Sequence, residues 1–300
     1  MRWFPFLAWP QPDAALLRSE AIAGLTVGLM VIPQGVAYAA LAHMPLVTGI
    51  YASLLPALAA VLFGASTRLS VGPTALTCLM VSAALSGMAE PGSAQWVALV
   101  VWLALLSGLF QVVLGTMRFG WLLNIVNAPV LTAFTQAAAV LIITSQLPIM
   151  LGIDGSWRVF AQHPTVHGGA LAFGLISAGV LTALRRWRPA FPTVLVVVLV
   201  SAGVSRWTGF EQQAGRVVGI LPEGLPALDL PAWPGWEMLL QLAMPVLAVT
   251  MVSFLETASS AKVDNSQRGQ IWDQDQDLIG QGLAKIISGL NGAFPTSSSF

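Results

Sequence analysis

Charged side chains are scarce in this sequence. They make up 9% of its 300 residues, while hydrophobic residues make up 56%. Because soluble domains carry about 25% charged residues, the composition excludes an ordinary soluble domain and predicts a membrane protein with several spans. The formal net charge is zero, and this balance gives no indication of nucleic acid or another polyanion as a partner.

Cysteine and histidine are also rare. The single cysteine, Cys78, excludes an intrachain disulfide and a cysteine-based metal cluster, and we interpret it as a small packing residue. Two of the three histidines lie in the run HPTVH (residues 163–167), where Pro164 disfavours the helix that a metal site of this spacing needs. We therefore predict no resident metal or cofactor. The apolar segments contain no set of nucleophile and base residues either, so we expect a protein that is not an enzyme.

Long apolar runs predict nine membrane segments. Their approximate bounds are residues 20–42, 47–63, 74–85, 95–117, 121–147, 170–184, 192–204, 236–258 and 278–290. The third segment is too short to cross a bilayer, which takes about 20 residues. A polar connector is predicted between the last two segments, over residues 262–277.

Basic residues fall mostly on one side of these segments. With the N-terminus in the cytoplasm, ten of the 13 Lys and Arg residues, Lys285 among them, lie on or near the inner side. This bias orients the chain by the positive-inside rule. We predict an integral, multi-pass protein of a bacterial inner (plasma) membrane, with a cytoplasmic N-terminus and the lipid bilayer as one partner.

The apolar pattern breaks in the run FGASTRLSVGPTAL (residues 63–76). A polar patch, four residues of strand character and a proline interrupt it, and a helix restarts at Thr74. Broken backbone is tolerated in a membrane only where protein or a water-filled cavity covers it. A half-helix beginning here would point free N–H groups at an anion, so Thr74, Ala75 and Leu76 are candidate ligands through these groups and the Thr74 hydroxyl. The alternative is that Thr74 only caps its own helix.

The run GAFPTSSSF (residues 292–300) repeats this pattern, because small residues and a proline precede hydroxyl-bearing residues where a helix should begin. Two broken segments in one chain indicate a transporter built from internal repeats, with its site between them near the membrane midplane. Because these residues end the chain, we expect Thr296, Ser297 and Ser298 to form a frayed terminus.

Two polar side chains lie in the first segment. Gln34 is mid-span in VIPQGVAYA, and Tyr38 follows one turn further along the same face. A polar amide in hydrocarbon must face protein or a cavity, so the Gln34 amide could donate to an oxyanion or form an interhelical hydrogen bond. The Tyr38 ring could line a pocket or simply pack against its neighbours.

Glu256 is the only acid well inside a predicted span. An intramembrane carboxylate is a candidate proton relay or cation ligand. Glu256 could therefore couple transport to H⁺ or Na⁺, and Ser260, four residues on, could share the cation. The alternative is a structural carboxylate that pairs with Lys262 or with a backbone N–H.

Three runs resemble the sulfate permease (SulP) family of anion transporters. They are RSEAIAGLTVGLMVIPQGVAYAALA (18–42), GIYASLLPALAAVLFGASTRLSVGPTALTCLMVSAAL (49–85) and DLIGQGLAKIISGLNGAFPTSSSF (277–300). The resemblance implies an all-α polytopic membrane fold of two inverted seven-span repeats, in which a core domain that carries substrate moves against a gate domain. It also implies a cytoplasmic STAS domain after the last span and a homodimer in the full-length protein.

The resemblance also divides the chain into expected parts. These are an N-terminal cytoplasmic or interfacial lead (1–19), core-domain spans 1–4 (20–117), gate-domain spans 5–7 (118–207), an external loop (208–235), and core-domain spans 8–9 with the start of a broken tenth segment (236–300). The sequence ends where that tenth segment should continue. We therefore expect the rest of the second repeat and the STAS domain to be missing from this chain.

The resemblance assigns roles to four further residues. Gln34 and Tyr38 match positions that line the substrate site, and Ser299 and Phe300 match the start of a second half-helix that faces the first. The implied function is secondary active transport of small inorganic or carboxylate anions (sulfate, bicarbonate or chloride) by symport or exchange, with elevator-like movement of the core. Two alternatives stay open: a same-fold transporter of another cargo, such as a nucleobase, and a non-transporting truncated fragment or structural partner.

Overall fold

The computed structural model describes residues 4–8, 13–66, 69–122, 128–152, 166–188, 191, 193–210, 224, 228, 230–269 and 272–299. Phe300 and His163, which the sequence analysis singled out, lie outside these residues. The helices and strands are α1 (Ala14–Leu41), α2 (Val47–Phe63), β1 (Ser70–Gly72), α3 (Ala75–Ala84), α4 (Ala94–Thr116), α5 (Ala128–Met150), α6 (Gly168–Trp187), α7 (Thr193–Thr208), α8 (Trp236–Gln241), α9 (Ala243–Arg268), α10 (Gln274–Leu290) and β2 (Ser297–Ser299).

Within the described residues, four helices are long and apolar enough to cross a membrane. They are α1, α4, α6 and the Ala243–Lys262 part of α9. The helices α2, α3 and α7 include shorter apolar stretches, and the strands β1 and β2 have three residues each. The predicted class, a helical polytopic membrane protein with a short strand and a half-helix in its third segment, is confirmed.

The chain forms two compact units. They consist of Met1–Leu16, Gln34–Thr135 and Leu221–Phe300 in the first, and of Leu17–Pro33 and Gln136–Ile220 in the second. In the first unit, Trp96 is fully buried in the largest apolar cluster and donates its indole N–H to the carbonyl oxygen of Ala42 (2.9 Å). In the second, Phe173 packs edge-to-face on Phe210, with ring centroids 4.9 Å apart. The domain boundaries drawn from the sequence stay predictions.

Glycine allows the helices of the first unit to approach each other closely. A Cβ atom added to Gly108 of α4 would lie 2.7 Å from the carbonyl oxygen of Gly282 in α10, and one added to Gly282 would lie 2.7 Å from that of Gly108. Between α1 and α2, a Cβ on Gly35 would lie 2.6 Å from the carbonyl oxygen of Gly49. Backbone contact through small residues is how membrane helices gain dispersion energy when lipid offers no hydrophobic driving force.

The two broken segments meet as a pair of strands. β1 and β2 run antiparallel, with Ser70 opposite Ser299, Val71 opposite Ser298 and Gly72 opposite Ser297. The expectation of a frayed terminus is therefore wrong, because the strand pairing ties these residues down. Thr296, Ser297 and Ser298 are all buried.

Two helix boundaries differ from the predicted ones, one because of an aspartate cap and one because of a proline. α1 begins at Ala14, because the Asp13 carboxylate caps it and accepts from the N–H of Leu16 (2.7 Å). The predicted span over residues 236–258 is split into α8 and α9. Pro245 explains the split, since its ring excludes the carbonyl of Gln241, four residues earlier, from a continuous helix.

The predicted polar connector over residues 262–277 is partly wrong. α9 continues through Arg268. Gly269 follows it, and its positive φ of 63° is typical of a residue just after a helix. The other end of the connector belongs to α10, where buried Asp277 accepts hydrogen bonds from the N–H groups of Ala65 (2.7 Å) and Ser66 (2.9 Å). This carboxylate fixes the polar patch that leads from α2 into β1.

Candidate functional site

The half-helix α3 begins where the sequence predicts. Thr74 is its N-cap, and the Thr74 hydroxyl accepts from the N–H of Thr77 (3.2 Å), so the capping role considered as an alternative is present. Thr74, Ala75 and Leu76 are buried. The N–H groups of Ala75 and Leu76 have no hydrogen-bond acceptor among the described residues, so they are available to a ligand.

Glu256 of α9 lies at the start of α3. Its carboxylate accepts from the hydroxyl of Thr74 (3.1 and 3.2 Å to the two oxygens) and from the hydroxyl of Thr77 (3.1 Å). A negative charge here faces the positive end of the α3 dipole. Among the described residues, the partners of this carboxylate do not include Lys262, so the structural pairing considered in the sequence analysis is not what holds it.

The second broken segment contributes hydroxyls to the same place. The Ser297 side chain lies beside the Glu256 carboxylate, and its hydroxyl donates to that of Ser253 (3.1 Å). The Ser298 hydroxyl lies 2.6 Å from that of Thr257 and accepts from the Gln281 amide (2.8 Å). Hydroxyls from the start of α3 and from β2 thus lie beside one partly buried carboxylate.

Lys285 of α10 is a residue that the sequence reasoning missed. The sequence analysis counts it among the basic residues on or near the inner side, and the structure shows that its side chain is 0% exposed. Its ammonium donates to the Oε1 of Gln111 and to the hydroxyl of Ser253 (2.6 Å), and it interacts electrostatically with Glu256. The signal was present in the sequence, because a charge inside a predicted apolar segment is the same feature that singled out Glu256.

Gln34 and Tyr38 lie close to each other on α1. The Gln34 amide donates to the Tyr38 hydroxyl (2.8 Å) within the same helix, rather than across helices as one interpretation held. Gln34 is exposed, whereas Tyr38 is half-buried against the main apolar cluster, which includes Cys78 of α3. Tyr38 is therefore on the side of α1 that faces the start of α3.

The remaining predicted site residues are only partly brought together. Ser260 is buried one turn beyond Glu256 on α9, and no hydrogen bond among the described contacts joins the two side chains. Ser299 takes part through its backbone pairing with Ser70, and Phe300 lies outside the described residues.

The chemistry of this arrangement combines two kinds of ligand. Unpaired backbone N–H groups at a helix start suit an anion, and a carboxylate surrounded by hydroxyl oxygens suits a proton or a small hard cation. No group of three or more His, Cys, Asp and Glu side chains is close enough to hold a metal ion in the part of the chain that the structure describes.

A helical membrane fold in which two broken segments meet near polar ligands is that of a membrane transporter. Two solved structures share it. The murine Solute Carrier 26 family member A9 anion transporter matches with a TM-score of 0.86 at 20% identity, over 99% of this chain and 54% of its own. The transmembrane domain of the cyanobacterium bicarbonate transporter BicA matches with a TM-score of 0.80 at 19% identity, over 96% of this chain and 76% of its own. At these identities the likeness shows the fold alone.

The chain belongs to the sulfate permease family, whose sequence profile matches residues 17–300. The probable sulfate transporter MT1781 of Mycobacterium tuberculosis (strain CDC 1551 / Oshkosh) is 33% identical over 291 residues, which cover 94% of this chain and 52% of that relative. The chain spans about half the length of the curated relatives it matches. The resemblance noted in the sequence is confirmed, and the family is one of transporters rather than enzymes.

Proposed function

We propose that the protein is a secondary active transporter of small inorganic or carboxylate anions, of the sulfate, bicarbonate or chloride class. The observation that carries the proposal is the start of α3, where the N–H groups of Ala75 and Leu76 have no acceptor among the described residues. Free N–H groups at a helix start bind anions through direct hydrogen bonds and the helix dipole. The names of a sulfate-transporter relative and of a bicarbonate-transporter structure support the same class of cargo.

The walls of the proposed anion site come from α1 and from the second broken segment. Tyr38 packs against the apolar cluster that contains Cys78 of α3, and the Gln34 amide donates a hydrogen bond to the Tyr38 hydroxyl. These contacts support a place for both side chains beside the anion. The pairing of Ser299 with Ser70 supports a place for Ser299 on the opposite wall. The family resemblance, rather than the described structure, assigns Phe300 to the same wall.

Glu256 gives the proposed site a reason to bind a cation together with the anion. Two like charges about 5 Å apart repel each other by about 3 kcal/mol at an effective dielectric constant of about 20. A proton on Glu256, or a sodium ion bound by Glu256 and the hydroxyls of Thr74 and Thr77, would remove this repulsion. We therefore assign Glu256 the coupling role in symport or exchange, with Ser260 as a further oxygen ligand.

The family resemblance supports the larger features of the proposal. These are an elevator-like movement of the core spans against the gate spans, a homodimer of the full-length protein, and a bacterial inner membrane with the N-terminus in the cytoplasm. Because the native cysteine, Cys78, is buried, an exposed cysteine introduced as Arg18→Cys tests the orientation. We expect an impermeant thiol reagent to label it from the cytoplasmic side, and labelling from the outer side would contradict the orientation.

Uptake by the complete protein encoded by the gene tests the cargo. The purified protein in liposomes is offered labelled sulfate, bicarbonate or chloride, with empty liposomes as the control. We expect saturable uptake of at least one of them, with competition by the others. Saturable uptake of a nucleobase instead would favour the other cargo, and no saturable uptake of any of the three anions would contradict the proposal.

A further inference from the structure

Lys285 is a buried cation whose nearest partners carry no charge. Its side chain is 0% exposed, as are those of Gln111 and Ser253, which accept from its ammonium. Burial of an ammonium among neutral groups alone is costly, and native proteins offset it with an opposite charge. The partner must therefore be looked for beyond the atoms in direct contact.

The two buried acids near α10 can be distinguished by their own contacts. Asp277, two turns before Lys285 on the same helix, is already satisfied by the N–H groups of Ala65 and Ser66 and by the indole N–H of Trp272 (2.6 Å). Glu256 is the acid that interacts electrostatically with Lys285. The opposite charge for Lys285 is therefore on α9.

Two hydroxyls connect the ammonium to this carboxylate. The Lys285 Nζ donates to the hydroxyl of Ser253 (2.6 Å), which also accepts from the hydroxyl of Ser297 (3.1 Å), and the Ser297 side chain lies beside the Glu256 carboxylate. A hydroxyl donates one hydrogen bond and accepts others, and its hydrogen rotates to suit its neighbours. In the structure the Ser297 hydroxyl donates to Ser253, so the two serine side chains lie between the cation and the carboxylate, and the two charges interact across them.

We propose that Lys285 is a fixed counter-cation for Glu256. Its charge acts across the side chains of Ser253 and Ser297, and it takes the place of a free sodium ion at the transport site. The ammonium belongs to α10, and the carboxylate reaches the start of α3. The fixed positive charge of Lys285 therefore offsets the negative charge of Glu256 without contacting the anion. The inference rests on the proposed function and narrows its coupling ion, because a site with a resident cation does not need sodium to accept an anion.

The structure also shows how Lys285 is kept in place. Gln111 of α4 accepts from the same ammonium as Ser253, and the Gln111 Nε2 has no hydrogen-bond partner among the described residues. An amide whose carbonyl oxygen is used while its NH₂ group is left unpaired is oriented by the cation alone. Lys285 is therefore a positioning residue, which acts on the anion through Glu256 and not by contact.

Sodium dependence of anion uptake is the readout that a merely structural lysine would not change. Labelled sulfate uptake by the complete protein in liposomes is measured in sodium medium and in N-methylglucamine medium at one pH. Wild-type uptake should be equal in the two media. Lys285→Met should lose uptake by about tenfold or more in N-methylglucamine, because the uncompensated Glu256 charge then repels the anion, and sodium should restore it. Lys262→Met, the same substitution at a half-buried lysine on α9, is the matched control and should show no sodium dependence.

The other possible results of this experiment also test the role of Lys285. Wild-type uptake that requires sodium, or equal uptake by Lys285→Met in both media, overturns the proposal. If Lys285→Met does not fold, the double variant Lys285→Met/Glu256→Gln is the deciding protein: recovery of its thermal unfolding midpoint supports the charge pair, and no recovery overturns it. If the wild type transports no anion at all, the proposed function fails, and the stabilities of the two single variants and the double variant still test the pair as a double-mutant cycle.

Discussion

Replacement of Ala75 by proline should weaken anion binding and leave the fold intact. Ala75 is the first residue of α3, and Thr74 before it is extended, with φ −123° and ψ 148°. Proline suits the first helical position, because its fixed φ fits the helix and the N–H that it lacks has no partner inside the helix. Extended geometry is also what a residue before proline adopts. The substitution therefore removes one proposed anion ligand without breaking a helical hydrogen bond.

The expected effect follows from the strength of one hydrogen bond to an ion. Such a bond is worth about 1.5–3 kcal/mol, which corresponds to an affinity about 10- to 150-fold weaker. The concentration dependence of labelled sulfate uptake in liposomes measures this as a rise in KM. The thermal unfolding midpoint should not fall, because proline at a compatible site stabilises a protein through its unfolded state.

The chain offers a matched control in α4. Ala94 is the first residue of that helix, and Ser93 before it is also extended, with φ −69° and ψ 161°. Ala94→Pro should leave KM unchanged, because the start of α4 has no part in the proposed site. An unchanged KM in a folded Ala75→Pro protein would refute the reasoning that backbone N–H groups of α3 bind the anion.

Three further predictions concern other positions. Glu256→Gln should remove the dependence of uptake on an imposed proton gradient, because the amide cannot change its charge; an unchanged dependence would argue against the coupling role. Gly282→Ala should lower the thermal unfolding midpoint, since the new Cβ would lie 2.7 Å from the carbonyl oxygen of Gly108 and overpacking costs about 1–3 kcal/mol. Gly179→Ala, where no atom lies within 4 Å of the new Cβ, is its control, and equal midpoints for the two variants would contradict the close contact. Burial lowers the pKa of His43, so the folded protein favours the neutral ring and loses stability as the pH falls through the unfolded-state value of about 6.5. His43→Gln should reduce that loss in unfolding scans, and an equally steep loss would show that other groups cause it.

The broken third segment could be predicted from the sequence because its signals are local. Proline, a threonine N-cap and a run of apolar residues all lie within the segment, and the structure begins α3 one residue after Thr74. The terminal strand could not be predicted in the same way. Its order depends on pairing with β1, and nothing in the residues near Ser297 reports that partner. The break before α9 had a local signal in Pro245, which was overlooked.

The candidate site was predicted in part for a similar reason. Glu256 was found because an acid in an apolar span is unusual, but its contact with Thr74 joins residues 182 positions apart in the chain. Sequence reasoning therefore treated the carboxylate and the half-helix as separate features. Lys285 was missed because it was counted only with the basic residues on or near the inner side, and its burial depends on the packing of α10 against α4.

The position of a bound anion tests the central claim most directly. Selenate is a close analogue of sulfate, and anomalous diffraction from crystals of the complete protein grown with selenate would locate the selenium atom. We expect a selenium peak at the start of α3, with the oxygens of the selenate within hydrogen-bonding distance of the backbone N atoms of Ala75 and Leu76. A selenate that is bound with high occupancy elsewhere, with none at the start of α3, would contradict it.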